Sequence, residues 1–159
     1  MKVTFVCSGN ICRSPSAEAV LRAMLVERGL DDRVEVDSFG TGSWHVGDPA
    51  DPRAMGALAA RGYSLNHTAR TIDAYEISER DLVIAMDRGH EEELREMAAT
   101  AEDADKIRLL RSFDPAAGPG DLDVPDPYYG GRDGFERVLD IIEAGCAGLA
   151  DHISESLAS

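Results

Sequence analysis

The chain has 159 residues and a formal net charge of -14, with 30 acidic side chains against 16 Lys and Arg. A chain of this length forms one hydrophobic core, so we expect a single domain over residues 1–159. The summed negative field disfavours nucleic acid and anionic membranes as partners. Because no stretch has the pattern of a secretory signal or a membrane span, we expect a cytoplasmic protein.

Apolar periodicity divides the chain into alternating strands and helices. A β-branched and aromatic run at 2–7 predicts the first strand, and helical spacing from Pro15 to Gly29 predicts the helix that follows. The same patterns predict later strands at 34–38, 81–87 and 107–110, and later helices at 51–62, 88–99 and 134–157. This alternation indicates an α/β fold, with a central four-stranded parallel sheet flanked by helices in flavodoxin-like order.

The segment between the first strand and the first helix, CSGNICRS at 7–14, carries the main chemical signal. Backbone N–H groups at a helix N-terminus bind anions, and Gly9 permits a positive φ and close approach. The planar guanidinium group of Arg13 can hold two phosphoryl oxygens. Its positive charge and the helix N-terminus also favour the nucleophilic thiolate of Cys7. A cysteine at a strand end is more often a small buried residue, but its spacing to Arg13 favours an anion site. No Gly-Lys-Ser/Thr follows, which excludes the Walker phosphate loop.

Cys7, five residues, and then Arg13-Ser14 form the active-site pattern of cysteine-dependent phosphatases. Together with V-C-x-G-N-I-C-R-S-P at the N-terminus, the pattern closely resembles the bacterial low-molecular-weight protein tyrosine phosphatases. The resemblance implies hydrolysis of phosphotyrosine in tyrosine-phosphorylated signalling proteins, through a phosphocysteine on Cys7. Arg13 would bind the phosphoryl group, inorganic phosphate would be the product, and no cofactor would be needed.

A phosphoester leaving group also needs a general acid. The resemblance assigns this role to Asp126, in the segment DPYY at 126–129. On sequence alone, an Asp before Pro is ordinarily a turn residue.

Other positions gain a role only through the resemblance. It implies that Ser38 and His67 support Asn10, which holds the strained loop, and that Ser14 donates to the Cys7 thiolate. The implied substrate-binding residues are Ser8, Gly9, Asn10, Ile11, Cys12, Ser14 and the aromatic cleft walls Trp44, Tyr128 and Tyr129. Without the family, Trp44 reads as a core or loop anchor.

Two further positions leave questions open. Phe39 stands where relatives commonly carry Ala, which predicts a repacked floor near Asn10. Asp87 follows a predicted strand, where it either steadies Arg13 and the loop or simply caps the next helix.

Two other classes of function are compatible with an oxyanion loop. An arsenate reductase would need two more cysteines in relay, and the chain adds only Cys146, in a predicted helix. A phosphate-binding adaptor would retain the loop but could dispense with Cys7 or Asp126, and both are present. Four scattered His residues without H-x-x-x-H or C-x-x-C spacing give no metal-ligand pattern.

Overall fold

Four parallel strands form the central sheet of the computed structural model, which describes residues 1–128 and 131–158. The strands are β1 (Lys2–Cys7), β2 (Glu35–Gly40), β3 (Leu82–Ala85) and β4 (Ile107–Leu109). They are hydrogen-bonded in the order β2-β1-β3-β4. The α/β class and the flavodoxin-like order are therefore confirmed.

Helices connect the strands and cover the sheet. Within the described residues they are α1 (Arg13–Glu27), α2 (Pro52–Ala60), α3 (Ala74–Ser78), α4 (Arg88–Met97), α5 (Ala101–Ala104), a 3-10 helix (Leu110–Phe113) and α6 (Arg132–Ala158). The periodicity does not predict α3, α5 or the 3-10 helix, because four or five residues complete too few turns. α1 begins before Pro15, which the first turn of a helix accommodates. Across the described ranges, no helix is long and apolar enough to cross a bilayer.

Alternate residues of β1 serve two hydrophobic cores, one on each face of the sheet. Val3 and Phe5 pack in the core that contains Leu21 of α1 and Ile142 of α6. Val6 packs in the opposite core, which contains Leu94 of α4. Burial on both faces explains why β1 reads as a nearly continuous apolar run.

The strand order reverses at β1, which pairs with β2 on one side and β3 on the other. In open parallel sheets, such a switch point opens a crevice beyond the carboxyl ends of the strands. The loop after Cys7 follows β1 at this edge, and Asp87 follows β3 as the N-cap of α4. The topology thus brings two distant segments to one place.

Candidate active site

The loop between β1 and α1 turns its carbonyl groups outward. Four of these carbonyls accept hydrogen bonds at 2.6–3.0 Å from outside the loop, namely Cys7 from Thr41 N–H, Ser8 from Gly42 N–H, Asn10 from His67 Nε2 and Ile11 from Asp51 N–H. A planar trans peptide places the next residue's N–H opposite each carbonyl, so those N–H groups point into the loop. With the N-terminus of α1, they form an anion-binding cradle.

The left-handed residue of this loop is Asn10, with φ 59°, and Gly9 does not use the positive φ that it permits. Asn10 Nδ2 donates to Ser14 Oγ at 2.9 Å and to Ser38 Oγ at 3.0 Å. These hydrogen bonds offset the steric cost of a positive φ. A Cβ at Gly9 would lie 2.9 Å from His45 Cδ2, so a larger residue there would require the imidazole ring to shift.

Cys7 lies at the end of β1, with its Sγ 2.9 Å from Ser14 Oγ. Since Ser14 Oγ accepts a hydrogen bond from Asn10 Nδ2, its own hydrogen can be donated to the sulfur or, at the longer distance of 3.4 Å, to the Phe39 carbonyl oxygen. The other loop cysteine, Cys12, is in a different setting. Burial, followed by the charge of Asp51, raises the pKa of Cys12 far above its ordinary value and keeps it a neutral thiol.

The Arg13 guanidinium is buried and held along one edge. Its Nη1 donates to Asp87 Oδ2 at 2.8 Å and to the Val124 carbonyl at 3.0 Å, which leaves Nε and Nη2 for an anion. Asp87 Oδ1 also accepts from His90 N–H, so Asp87 both steadies Arg13 and caps α4. Burial opposes ionisation of Asp87, but the His90 N–H and the adjacent charges outweigh it and hold its pKa below the usual value.

Asp126 lies on the other side of Arg13, with Oδ2 3.7 Å from Arg13 Nη2. Its side chain is 47% exposed, in contrast to Arg13 at 6%. Asp126 Oδ1 accepts a hydrogen bond from Tyr128 N–H at 3.0 Å, which orients the carboxyl group. A solvent-accessible carboxyl group therefore lies beside the anion cradle.

These groups line one cleft of about 340 Å³. Its walls are formed by Cys7, Ser8, Gly9, Ile11, Cys12, Arg13, Trp44, His45, Asp126 and Tyr128. Trp44 is 74% exposed at the rim, and its ring lies so close to Gly42 that a Cβ there would be 1.7 Å from it. The predicted wall residue Tyr129 lies outside the described residues.

Sequence reasoning did not single out two histidines of this site, because a lone His carries no spacing signal. His45 lines the cleft, with its ring centroid 6.3 Å from that of Tyr128. His90 is 2% exposed, and its Nε2 lies 2.8 Å from Ser8 Oγ. Burial, and then the charge of Arg13, lower the pKa of His90 to about 4, so it is neutral near pH 7. Its position three residues after the strand-ending Asp87 was the one available signal.

The expected disturbance of the loop floor by Phe39 is not found. Successive side chains of β2 point to opposite faces, so Ser38 faces α1 while Phe39 packs in the second core. The Arg70 guanidinium lies 4.0 Å from the Phe39 ring centroid. The larger side chain is thus accommodated away from Asn10.

The third cysteine does not belong to the cleft. Cys146 is fully buried in the main core, with Sγ 3.8 Å from the Ala17 carbonyl oxygen. Burial raises its pKa far above the ordinary value, which suits a packing residue and not a disulfide relay. In the part of the chain that the structure describes, no group of three or more His, Cys, Asp or Glu is placed to hold a metal ion.

A cysteine and an arginine separated by five residues in an anion-binding loop define the cysteine-dependent phosphatases. The family model described as "Low molecular weight phosphotyrosine protein phosphatase" matches residues 2–159, and the chain belongs to this family. A low molecular weight protein-tyrosine-phosphatase of Streptomyces coelicolor is 56% identical over 156 residues, covering 98% of this chain and 95% of the relative. The resemblance indicated by the loop motif is therefore confirmed.

Solved structures show the same fold. A protein tyrosine phosphatase of Entamoeba histolytica matches with a TM-score of 0.93 and 37% identity over 98% of both chains. A Drosophila arginine phosphatase matches with a TM-score of 0.88 and 38% identity, over 96% of this chain and 98% of that one. Family membership supports phosphotyrosine hydrolysis, with phosphotyrosine-bearing proteins as substrates.

Proposed function

We propose that the protein hydrolyses phosphotyrosine in two steps, with Cys7 as the nucleophile, Arg13 as the phosphoryl-binding residue and Asp126 as the general acid. One observation carries the proposal: all three side chains line the same cleft. Arg13 and Asp126 come within 3.7 Å of each other, although 112 positions separate them. The inward-pointing N–H groups of the loop supply further donors for the phosphoryl oxygens.

In the first step, the Cys7 thiolate attacks phosphorus from within the cradle. An S–P bond forms and the P–O bond to the tyrosine ring breaks, while the Asp126 carboxyl group gives its proton to the departing phenolate oxygen. The Nε and Nη2 groups of Arg13 bind phosphoryl oxygens, because Nη1 is already engaged by Asp87. The products of this step are the tyrosine side chain and phosphocysteine.

In the second step, a water molecule attacks the phosphorus of phosphocysteine. The Asp126 carboxylate takes a proton from this water, the P–S bond breaks, and inorganic phosphate leaves. The hydroxyl group of Ser14, 2.9 Å from Cys7 Sγ, donates to the departing thiolate. The enzyme returns to its starting protonation state, with a proton on Asp126 and a thiolate at Cys7.

The aromatic side chains at the rim favour a planar substrate side chain. Trp44 and Tyr128 line the cleft above Cys7 and provide apolar contact for a phenyl ring. Phosphoarginine is a second candidate substrate, because the similar Drosophila protein is an arginine phosphatase. Its planar guanidinium group would also stack on these rings.

Phosphate release from three peptides with identical flanks tests the proposal. The peptides carry phosphotyrosine, phosphoserine or phosphoarginine at the same position. We expect kcat/KM for phosphotyrosine to exceed that for each of the others by about a hundredfold or more, since alignment of the phosphorus with the attacking thiolate depends on side-chain length and shape.

Cys7→Ser should abolish turnover, while Cys146→Ala, which removes a thiol outside the cleft, should retain it once folding is checked by circular dichroism. Faster hydrolysis of phosphoarginine would assign the second substrate class. Turnover by Cys7→Ser would exclude the phosphocysteine route.

A further inference from the structure

A chain of buried hydrogen bonds connects Glu18 in α1 with the sulfur of Cys7. Ser38 Oγ donates to Glu18 Oε1 at 2.8 Å, and Asn10 Nδ2 donates to Ser38 Oγ at 3.0 Å. The same Nδ2 donates to Ser14 Oγ at 2.9 Å, and Ser14 Oγ lies 2.9 Å from Cys7 Sγ. All five residues are buried, with at most 5% of their surface exposed. Glu18 does not line the cleft and takes no part in the steps above.

The direction of each hydrogen bond follows from the groups at its ends. A carboxylate only accepts, so the hydroxyl hydrogen of Ser38 must point to Glu18. A lone pair of Ser38 Oγ then accepts the hydrogen bond from Asn10 Nδ2. Asn10 Oδ1 accepts from Arg70 N–H at 3.0 Å, which fixes the amide orientation and leaves both Nδ2 hydrogens for the two serines. The hydrogen of Ser14 then has two acceptors within reach, the Cys7 sulfur at 2.9 Å and the Phe39 carbonyl oxygen at 3.4 Å, and the sulfur is the nearer.

Glu18 is held in place from a second side. Its Oε2 pairs with Arg22 Nη2 at 2.9 Å, and the Arg22 side chain is 55% exposed. Arg22 also donates to the Val36 carbonyl in β2. Both residues line a separate polar pocket, which shares no residue with the cleft. Glu18 is therefore anchored at the far end of the hydrogen-bond chain.

We propose that Glu18 is a positioning residue that directs the Ser14 hydrogen to the Cys7 sulfur. It acts through Ser38 and Asn10, and its role rests on the proposed function of Cys7 as the nucleophile. A hydrogen bond from Ser14 stabilises the thiolate before attack and again when the sulfur leaves phosphocysteine. Without an acceptor at position 18, the Ser38 hydroxyl loses its partner, and the Ser38 lone pair is no longer held towards Asn10 Nδ2, which removes one of the hydrogen bonds that keep Nδ2 beside Ser14.

A purely electrostatic role of Glu18 would have the opposite sign. A negative charge near Cys7 disfavours the thiolate, so removal of that charge alone would make Cys7 ionise at lower pH. Loss of the directed hydrogen bond makes Cys7 ionise at higher pH. The direction of the change therefore separates the two roles.

The test measures Cys7 ionisation and turnover in Glu18→Leu, which removes the acceptor, and Glu18→Gln, whose carbonyl oxygen can still accept from Ser38. The rate of Cys7 alkylation by iodoacetamide, mapped by mass spectrometry as a function of pH, reports the thiolate without substrate. For Glu18→Leu we expect the midpoint pH to rise by about one unit and kcat to fall about tenfold, the loss of one charge-assisted hydrogen bond. KM should change less than about threefold, because the groups that bind the phosphoryl oxygens remain.

Glu18→Gln should stay within about threefold of the wild type in kcat, since the acceptor is kept. Glu27→Gln removes the same charge from an exposed position of α1 and is the matched control, with no expected change. Equal losses of kcat in Glu18→Leu and Glu18→Gln would overturn the proposal. So would an alkylation midpoint pH of Glu18→Leu that falls or does not move.

Ser38→Ala breaks the same chain one position nearer to Cys7, and it serves if Glu18→Leu does not fold. Its alkylation midpoint should also rise, and Glu18→Ala, which also removes the acceptor, should raise the midpoint no further in that background. A further rise when Glu18→Ala is added to Ser38→Ala would show that Glu18 does not act through Ser38. If the proposed function is wrong, the wild-type protein itself will not hydrolyse phosphotyrosine. This result differs from a wrong role of Glu18, which would leave the wild-type activity intact.

Discussion

Asp87 and Asp126 are two carboxyl groups beside one arginine, and their surroundings suit them to different tasks. Asp87 is fixed by Arg13 Nη1 and His90 N–H, and its pKa is held below the usual value. Asp126 is about half exposed, and its carboxyl group lies 3.7 Å from Arg13. A general acid must regain its proton from solvent in each cycle, so the geometry favours Asp126 for proton transfer and Asp87 for holding Arg13.

Replacement of Asp126 by Asn should depend on the leaving group. We expect kcat for a phosphotyrosine peptide to fall by roughly 10²–10⁴, because the phenolate departs without a proton. Nitrophenyl phosphate should lose much less, since nitrophenolate is stable as an anion. Steady-state kinetics with both substrates provide the measurement, and equal losses would remove Asp126 from the acid role.

His90 should make stability depend on pH in a defined window. Its pKa is about 4 in the folded protein and about 6.5 in an unfolded chain, so between these values the unfolded state binds more protons. The contribution of His90 to the free energy of unfolding is therefore fully present above about pH 6.5. It is lost as the pH falls towards 4, which lowers the free energy of unfolding by up to about 3 kcal/mol.

Urea unfolding of the wild type and His90→Gln between about pH 7 and pH 4.5 isolates this contribution. The free energy of unfolding should decline less steeply in the variant, because its amide does not titrate. Parallel pH profiles for the two proteins would assign the acid sensitivity to other groups.

At the scale of elements, glycines set how closely α6 approaches the 3-10 helix. A Cβ at Gly148 would lie 1.8 Å from the Phe113 carbonyl oxygen, whereas a Cβ at Gly56 in α2 would meet nothing within 4 Å. We expect Gly148→Ala to lower the free energy of unfolding by about 1–3 kcal/mol through overpacking. The matched change Gly56→Ala should raise it by about 0.5–1 kcal/mol, because Gly is a poor helix former. Chemical denaturation of both variants measures these changes. If Gly148→Ala leaves the free energy of unfolding unchanged, the close packing is refuted.

The long elements were predictable from sequence because each repeats its apolar pattern over several turns or strand positions. The nucleophile loop was predictable because its chemistry lies within eight consecutive residues. The contacts that support the loop are different, since they join residues far apart. Arg70 N–H meets Asn10 Oδ1, and His90 meets Ser8, only after the strands are ordered. Neither local propensity nor spacing encodes which side chains meet across such distances.

At the scale of the whole molecule, the net charge of -14 should influence substrate choice. Long-range attraction favours phosphotyrosine peptides with flanking Lys and Arg, and salt screens this attraction. We expect a higher kcat/KM for basic than for acidic flanks at low ionic strength. The difference should become smaller when the salt concentration is raised to about 0.5 M. A preference for acidic flanks, or a difference that salt does not change, would show that local charges at the rim dominate.

In the proposed reaction, Cys7 carries the phosphoryl group during turnover. Rapid acid quenching of the enzyme with a phosphotyrosine peptide, followed by peptide mass mapping, tests it most directly. We expect one phosphoryl group on the peptide that contains Cys7, formed as tyrosine is released and lost as inorganic phosphate appears. Turnover without any phosphorylated Cys7, or with the phosphoryl group on another residue, would contradict it.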